Sequence, residues 1–194
     1  MMKYNEFLND DKPLSQFSIS EIEALASTNS EKIISTTSNG TNSFSVKILE
    51  NYGCLANRKN AIYFTKVIWN DHVCFDLRHW SEDFTIPKKG IVIESSELSR
   101  FPSVHQLETS TPPKAIYKSP STDVYIFRTI VEISTISKKG EPWRKELNVV
   151  DWGTGAKIDL RKWTDGYTRC SKGVLMTLQE YQSLYKLISS LIKS

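Results

Sequence analysis

Residues 152–177 read WGTGAKIDLRKWTDGYTRCSKGVLMT, and residues 69–93 read WNDHVCFDLRHWSEDFTIPKKGIVI. A shift of 83 positions superimposes them without a gap, pairing Trp69 with Trp152, Asp76-Leu77-Arg78 with Asp159-Leu160-Arg161, Trp80 with Trp163, and Lys89-Gly90 with Lys172-Gly173. Retention of two tryptophans, an arginine and a Lys-Gly pair at fixed spacing means that one structural unit occurs twice. The second copy alternates Ala156, Ile158 and Leu160 with Lys157, Asp159, Arg161 and Trp163, the period-2 pattern of a strand with one face on a core. Val73, Phe75 and Leu77 alternate in the same way with Cys74, Asp76, Arg78 and Trp80. The pattern therefore predicts that Arg161 with Trp163, and Arg78 with Trp80, share an exposed face. Asn70-Asp71 and Gly153-Thr154-Gly155 follow the leading Trp of each copy, where a tight hairpin is expected.

The chain has 194 residues, 39% of them hydrophobic, enough for a real core, and each repeat alone is of a size that needs support from a neighbour. Its net charge of +3 is unevenly spread: residues 1–40 carry 3 basic and 6 acidic groups, whereas 123–194 carry 12 and 8. That tilt is weakly favourable to a polyanionic partner. Cys54, Cys74 and Cys170 form no CxxC pair, so neither a disulfide framework nor a metal site is expected, and a reducing, intracellular setting fits. No stretch approaches the length of a membrane span, and the N-terminus has no secretory pattern. The sequence has no GxSxG, phosphate-binding loop, dinucleotide fingerprint or HExxH, so no enzyme, cofactor or catalytic residue is predicted.

In chain order, residues 1–40 form an N-terminal extension in which Ser18 and Glu21 suggest a capping box. Ile19, Ile22, Leu25 and Ala26 then recur at helical spacing. Residues 41–108 hold the first unit, ending in a short helix from Ser95 that Pro102 must stop. Residues 109–122 read as a Pro-rich linker. Residues 123–194 hold the second unit, closed by a helix capped by Thr177 and Glu180, with Tyr181, Leu184, Leu187, Ile188, Leu191 and Ile192 in one stripe. The repeats differ most at this helix, and the N-terminal helix is the candidate to fill the place left in the first unit.

An aromatic and cationic sheet face suits single-stranded nucleic acid, because every base offers a π face while Arg and Lys neutralise phosphates. Trp69, Trp80, Trp152 and Trp163 are the expected stacking platforms. Arg78, Arg161, Lys89, Lys172 and the loop groups Arg58, Lys59, Arg144 and Lys145 are the expected phosphate contacts. Asp76 and Asp159, two residues from the arginines, are expected to orient the guanidinium groups.

Residues 143–184 resemble the positive cofactor four family of transcriptional coactivators and single-stranded-DNA-binding proteins, most of all its bacterial YdbC-like branch. The resemblance rests on Trp152 before a hairpin, Ile158 to Arg161 followed by Trp163, Lys172-Gly173-Val174, and the helix from Thr177. The first unit meets it at Trp69, Phe75 to Arg78, Trp80 and Lys89-Gly90. The resemblance implies an α+β fold of two tandem β-β-β-β-α units, and DNA contacts at Trp152, Arg161, Trp163, Lys172 and Arg144-Lys145. Because the family unit dimerises, two units in one chain are expected to dock as an intrachain pseudo-dimer, monomeric in solution. The expected partner is single-stranded DNA or melted duplex. RNA bound on the same surface, or a self-assembly role without nucleic acid, are the alternatives.

Overall fold

A computed structural model of the protein describes residues 32–36, 44–55, 61–81 and 87–193. Arg58, Lys59 and the capping segment 18–26 lie outside the described residues. The hairpins set the architecture. Asn70 and Asp71, at φ 48° and 63°, form a left-handed pair that turns β3 (Ile62–Trp69) into β4 (His72–Trp80). Lys139 and Gly140, at φ 54° and 77°, do the same between β7 (Asp123–Lys138) and β8 (Glu141–Asp151). The remaining strands are β1 (Lys32–Thr36), β2 (Phe44–Cys54), β5 (Pro87–Ile93), β6 (Ala115–Lys118), β9 (Ala156–Thr164) and β10 (Val174–Met176). They form two antiparallel five-stranded sheets, ordered β1-β2-β3-β4-β5 and β10-β9-β8-β7-β6. With the C-terminal helix α1 (Leu178–Lys193), the architecture is α+β.

The predicted four-stranded meanders are present, each with a fifth strand at its edge. In the first sheet Ile34 lies opposite Val46, and in the second Tyr117 lies opposite Val124. The first fifth strand falls inside the expected extension 1–40 and the second inside the expected linker 109–122. The linker expectation is thus corrected over Ala115–Lys118, whose backbone pairs with β7. Sequence reasoning passed over β6 because its neighbours Pro112, Pro113 and Pro120 read as a tether, whereas prolines flanking an edge strand leave its ladder intact.

Period-2 alternation places one face of each sheet in a single apolar cluster. Phe64, Phe75, Leu77, Ile91 and Ile93 enter it from the first sheet, and Leu147, Ile158, Leu160, Val174 and Met176 from the second. Helix α1 adds Tyr181, Leu184 and Ile188. Its capping box is formed as expected, the Thr177 N–H donating to Glu180 Oε2 at 2.7 Å and the Glu180 N–H to Thr177 Oγ1 at 3.2 Å. In the first unit the corresponding residues Glu94 and Glu97 make the same reciprocal cap, but the helix is a 3-10 segment over Ser95–Arg100. Leu98 and Phe101 are its buried contribution to the shared cluster.

Polar bonds stitch the two halves at the rim of this core. The Tyr181 hydroxyl donates to the Pro102 carbonyl at 2.7 Å and Gln182 Nε2 to that of Val104 at 3.2 Å. Deeper in, Lys145 Nζ donates to Glu97 Oε2 at 2.5 Å and to the Val92 carbonyl at 3.0 Å, while Ser134 also donates to Glu97. Both charged side chains are almost wholly buried, at 5% and 8% exposure. No helix among the described residues is long and apolar enough to cross a membrane.

Candidate nucleic-acid interface

The face of each sheet turned away from the shared core carries the repeated Trp, Asp and Arg. Asp76 accepts two bonds from Arg78, from Nε at 2.7 Å and Nη2 at 3.0 Å, and Asp159 accepts two from Arg161, at 2.5 Å and 2.8 Å. This bidentate fork is the orienting role expected for the aspartates. The guanidinium carbons sit over indoles: Arg78 at 4.7 Å from the Trp69 ring centre, Arg161 at 4.3 Å from that of Trp152 and 5.5 Å from that of Trp163. Arg78 also donates to the Lys88 carbonyl at 2.7 Å, and Arg161 Nη1 to Cys170 Sγ at 3.6 Å. Burial pushes the Asp76 and Asp159 carboxyls above the ordinary aspartate value, against the opposing pull of the neighbouring arginines.

The Lys-Gly pair acquires a reason from the same geometry. A Cβ on Gly90 would stand 2.7 Å from both Arg78 Cβ and the Leu77 carbonyl oxygen. One on Gly173 would collide with Arg161 Cβ and the Leu160 carbonyl oxygen. Only glycine lets these strands approach the arginine strands so closely. The lysines before them, Lys89 and Lys172, are exposed.

Other expected site residues are placed differently. Trp80 and Trp163 are not exposed platforms: they retain 1% and 0% exposure. Trp163 lies edge-on to Tyr117 and Tyr167, with ring centres 5.5 Å and 5.4 Å apart, inside a small second core with Val124, Ile126 and Val150. Trp80 has the matching place in the first sheet, with Val46, Ile48, Val67 and Cys74. Alternation correctly assigns these indoles to the face away from the main core. It is blind to Tyr117 and Tyr167, which arrive from β6 and from a loop and cover Trp163. Arg78 and Arg161 are likewise withdrawn from solvent, at 12% and 11% exposure.

Arg144 is held by Glu146, Nε to Oε1 at 2.8 Å, and by Asp165. Glu146 is itself a buried hub, accepting from Asn148 Nδ2 at 3.0 Å and the Tyr167 hydroxyl at 2.9 Å. Lys145 points the other way, into the junction with the first unit, so its expected role as a phosphate contact is corrected to a buried ion pair. Trp69 and Trp152 are half-buried and, with the exposed Lys89 and Lys172 and the partly exposed Arg144, belong to the part of the expected surface that solvent reaches. Sequence reasoning missed Glu97, although it stands 83 positions before Glu180 and so was marked by the repeat.

Among the described residues, no three or more His, Cys, Asp or Glu side chains converge as a metal site, and no disulfide joins the three cysteines.

Comparison with curated proteins finds an uncharacterized protein of Treponema pallidum (strain Nichols), 34% identical over 58 residues, which is 29% of this chain and 68% of that protein. The chain and that protein belong to one family. Since 58 residues make up 68% of it, the treponemal protein is about 85 residues long, close to the period of the repeat here. No family model and no solved structure matches the chain.

Proposed function

We propose that the protein binds single-stranded DNA on the outward faces of two positive cofactor four-like units, docked on each other within one chain as a pseudo-dimer. The observation that carries the reading is a duplication of surface chemistry. In each copy a half-exposed indole, Trp69 or Trp152, is stacked by a guanidinium, and an exposed lysine, Lys89 or Lys172, precedes the glycine packed against that arginine. Bases stack on the indoles irrespective of sequence, and the lysines answer the phosphates. The pseudo-dimer is supported by the core drawn from both sheets and by a relative about one repeat long. A second reading, a repeat that serves assembly alone, is favoured by the internal satisfaction of Arg78, Arg161 and Lys145.

Anisotropy titration of a labelled single strand, with RNA and duplex as competitors, separates the readings. Trp152→Ala weakens binding by roughly 5- to 150-fold, about 1–3 kcal/mol, and Lys172→Ala lowers the salt slope by roughly 0.7. Absence of binding to any of the three polymers at low salt overturns the proposal. So does an unchanged affinity in both variants.

A further inference from the structure

Lys145 has a cationic neighbour that no carboxylate neutralises. Lys162 lies directly opposite it on β9, so both ammonium groups stand on the inward side of the second sheet, where it meets the first unit. Like charges facing each other across a strand pair destabilise a sheet. Glu97 answers Lys145, and Glu94 is engaged by His72, its Oε2 2.7 Å from the ring Nε2. Lys162 Nζ makes no hydrogen bond or ion pair among the described residues, although the side chain is half-buried. Burial, and then the charges of Lys145 and Lys138, hold this ammonium below the ordinary lysine value against the pull of Glu97 and Glu94. Trp143 stands two residues before Lys145 and so on the same side of β8. It is half-buried, and two exposed cations lie by its ring, Lys138 Nζ at 6.0 Å from the centre and the Arg169 guanidinium carbon at 5.5 Å. Ile136, opposite Trp143 on β7, is 39% exposed. The cluster belongs to the second copy alone: 83 positions before Trp143, Lys162 and Arg169 stand Asn60, His79 and Ile86.

We propose that this cluster is a second contact for single-stranded nucleic acid, in which Trp143 stacks a base while Lys138 and Lys162 take the phosphates beside it. The ligand class rests on the reading above, but none of the residues is shared with it. A phosphate gives Lys162 the acceptor that the fold withholds, and its charge offsets the repulsion from Lys145. Lys138 has no ion pair among the described residues, so it is free to exchange the ring for a phosphate when a base arrives, whereas Arg169 stays anchored by Glu141. Trp143 and Trp152 lie nine residues apart at the two ends of β8, about 30 Å, and on opposite sides of the sheet. A short strand held at one therefore does not touch the other, and the protein grips two strands, or two stretches of one long strand, at once.

Nitrogen-15 spectra of the full chain, titrated with an oligodeoxythymidine of about twenty nucleotides, test this contact. Each indole N–H gives its own resonance, and Trp143→Phe and Trp152→Phe identify the two that matter. The Trp143 resonance shifts on titration, and Lys138→Gln and Lys162→Gln each lower the salt slope by about 0.7. Lys162→Gln also leaves the melting temperature equal or higher, because it removes a charge facing Lys145, which the loss of a merely structural lysine would not do. If the Trp152 resonance moves while that of Trp143 stays and both slopes are unchanged, the second contact is overturned and the outward faces keep the ligand. Movement at Trp143 alone supports it and overturns stacking at Trp152. If neither moves at low salt, both readings fall. A lowered melting temperature in Lys162→Gln with unchanged affinity assigns that lysine to the fold and overturns the proposal as well.

Discussion

Lys145→Met tests whether the two halves are locked by charge. Lys145 gives up two bonds in this change, at 2.5 Å to Glu97 and 3.0 Å to the Val92 carbonyl, and methionine fills nearly the same volume. What remains is a carboxylate at 8% exposure that keeps only Ser134 and the Glu94 N–H, the latter at 2.9 Å. Breaking a buried pair from one side costs about 3–5 kcal/mol, a large share of a domain's typical 5–15. Burial alone would raise the Glu97 carboxyl, but bonds from Lys145, Ser134 and Glu94, with the charge of Lys145, hold it below its ordinary value of 4.5. A depressed folded-state value stabilises above the unfolded value and loses that contribution as pH falls through the folded one. The stability that Glu97 contributes in the wild type is therefore full at neutral pH and fades as pH falls below the ordinary value. Burial without Lys145 raises the carboxyl in the variant, so the gap between the two is full at neutral pH and begins to narrow already above the ordinary value. Urea unfolding across pH reads it directly, and Glu97→Leu added to Lys145→Met recovers most of the loss. A single-variant loss under about 1 kcal/mol refutes the lock. A double variant that loses the sum of both singles refutes it too.

Gly173→Ala and Gly90→Ala each cost at least about 1–3 kcal/mol by overpacking, seen as a lowered melting temperature, because the added methyl meets a strand backbone. Trp163→Ala costs about 3–5 kcal/mol of stability, as expected for an indole with no solvent exposure, and calorimetry registers the loss without any ligand present. Limited proteolysis cuts within the exposed residues 108–112 before Ala115–Lys118, and gel filtration still finds the halves together because both sheets feed one core.

The alternation of Phe75, Leu77, Ile158 and Leu160 was sufficient to read the strands, their inward faces and the duplication, because side-chain period and backbone pleat are the same quantity. The orientation of Arg78 and Arg161 by Asp76 and Asp159 was legible for the same reason, two residues being one step along a face. The burial of Trp163 was not, since it depends on Tyr117, 46 positions earlier, and Tyr167, after a turn. Lys145 was legible in part: it shares its side of β8 with Leu147 and Val149, both wholly buried, which marks an inward charge. Its location in a basic run, Arg144-Lys145, suggested a solvated ligand instead. Its partner lies 48 positions away, beyond any local pattern.

The ion pair also bears on how a duplicated chain ages. Eighty-three positions before Lys145 stands Ile62, wholly buried in the shared cluster, so the charge occupies one of two equivalent places and a hydrocarbon the other. A partnership between identical chains imposes every substitution twice, and a lysine suited to one side would be forced on the other. Joining the copies end to end lifts that obligation. Each position can then specialise once, and the tether supplies the local concentration that identical surfaces would otherwise have to secure by affinity. On the pseudo-dimer proposed above, a lysine facing a glutamate at one junction and an isoleucine at its counterpart is the trace such freedom leaves.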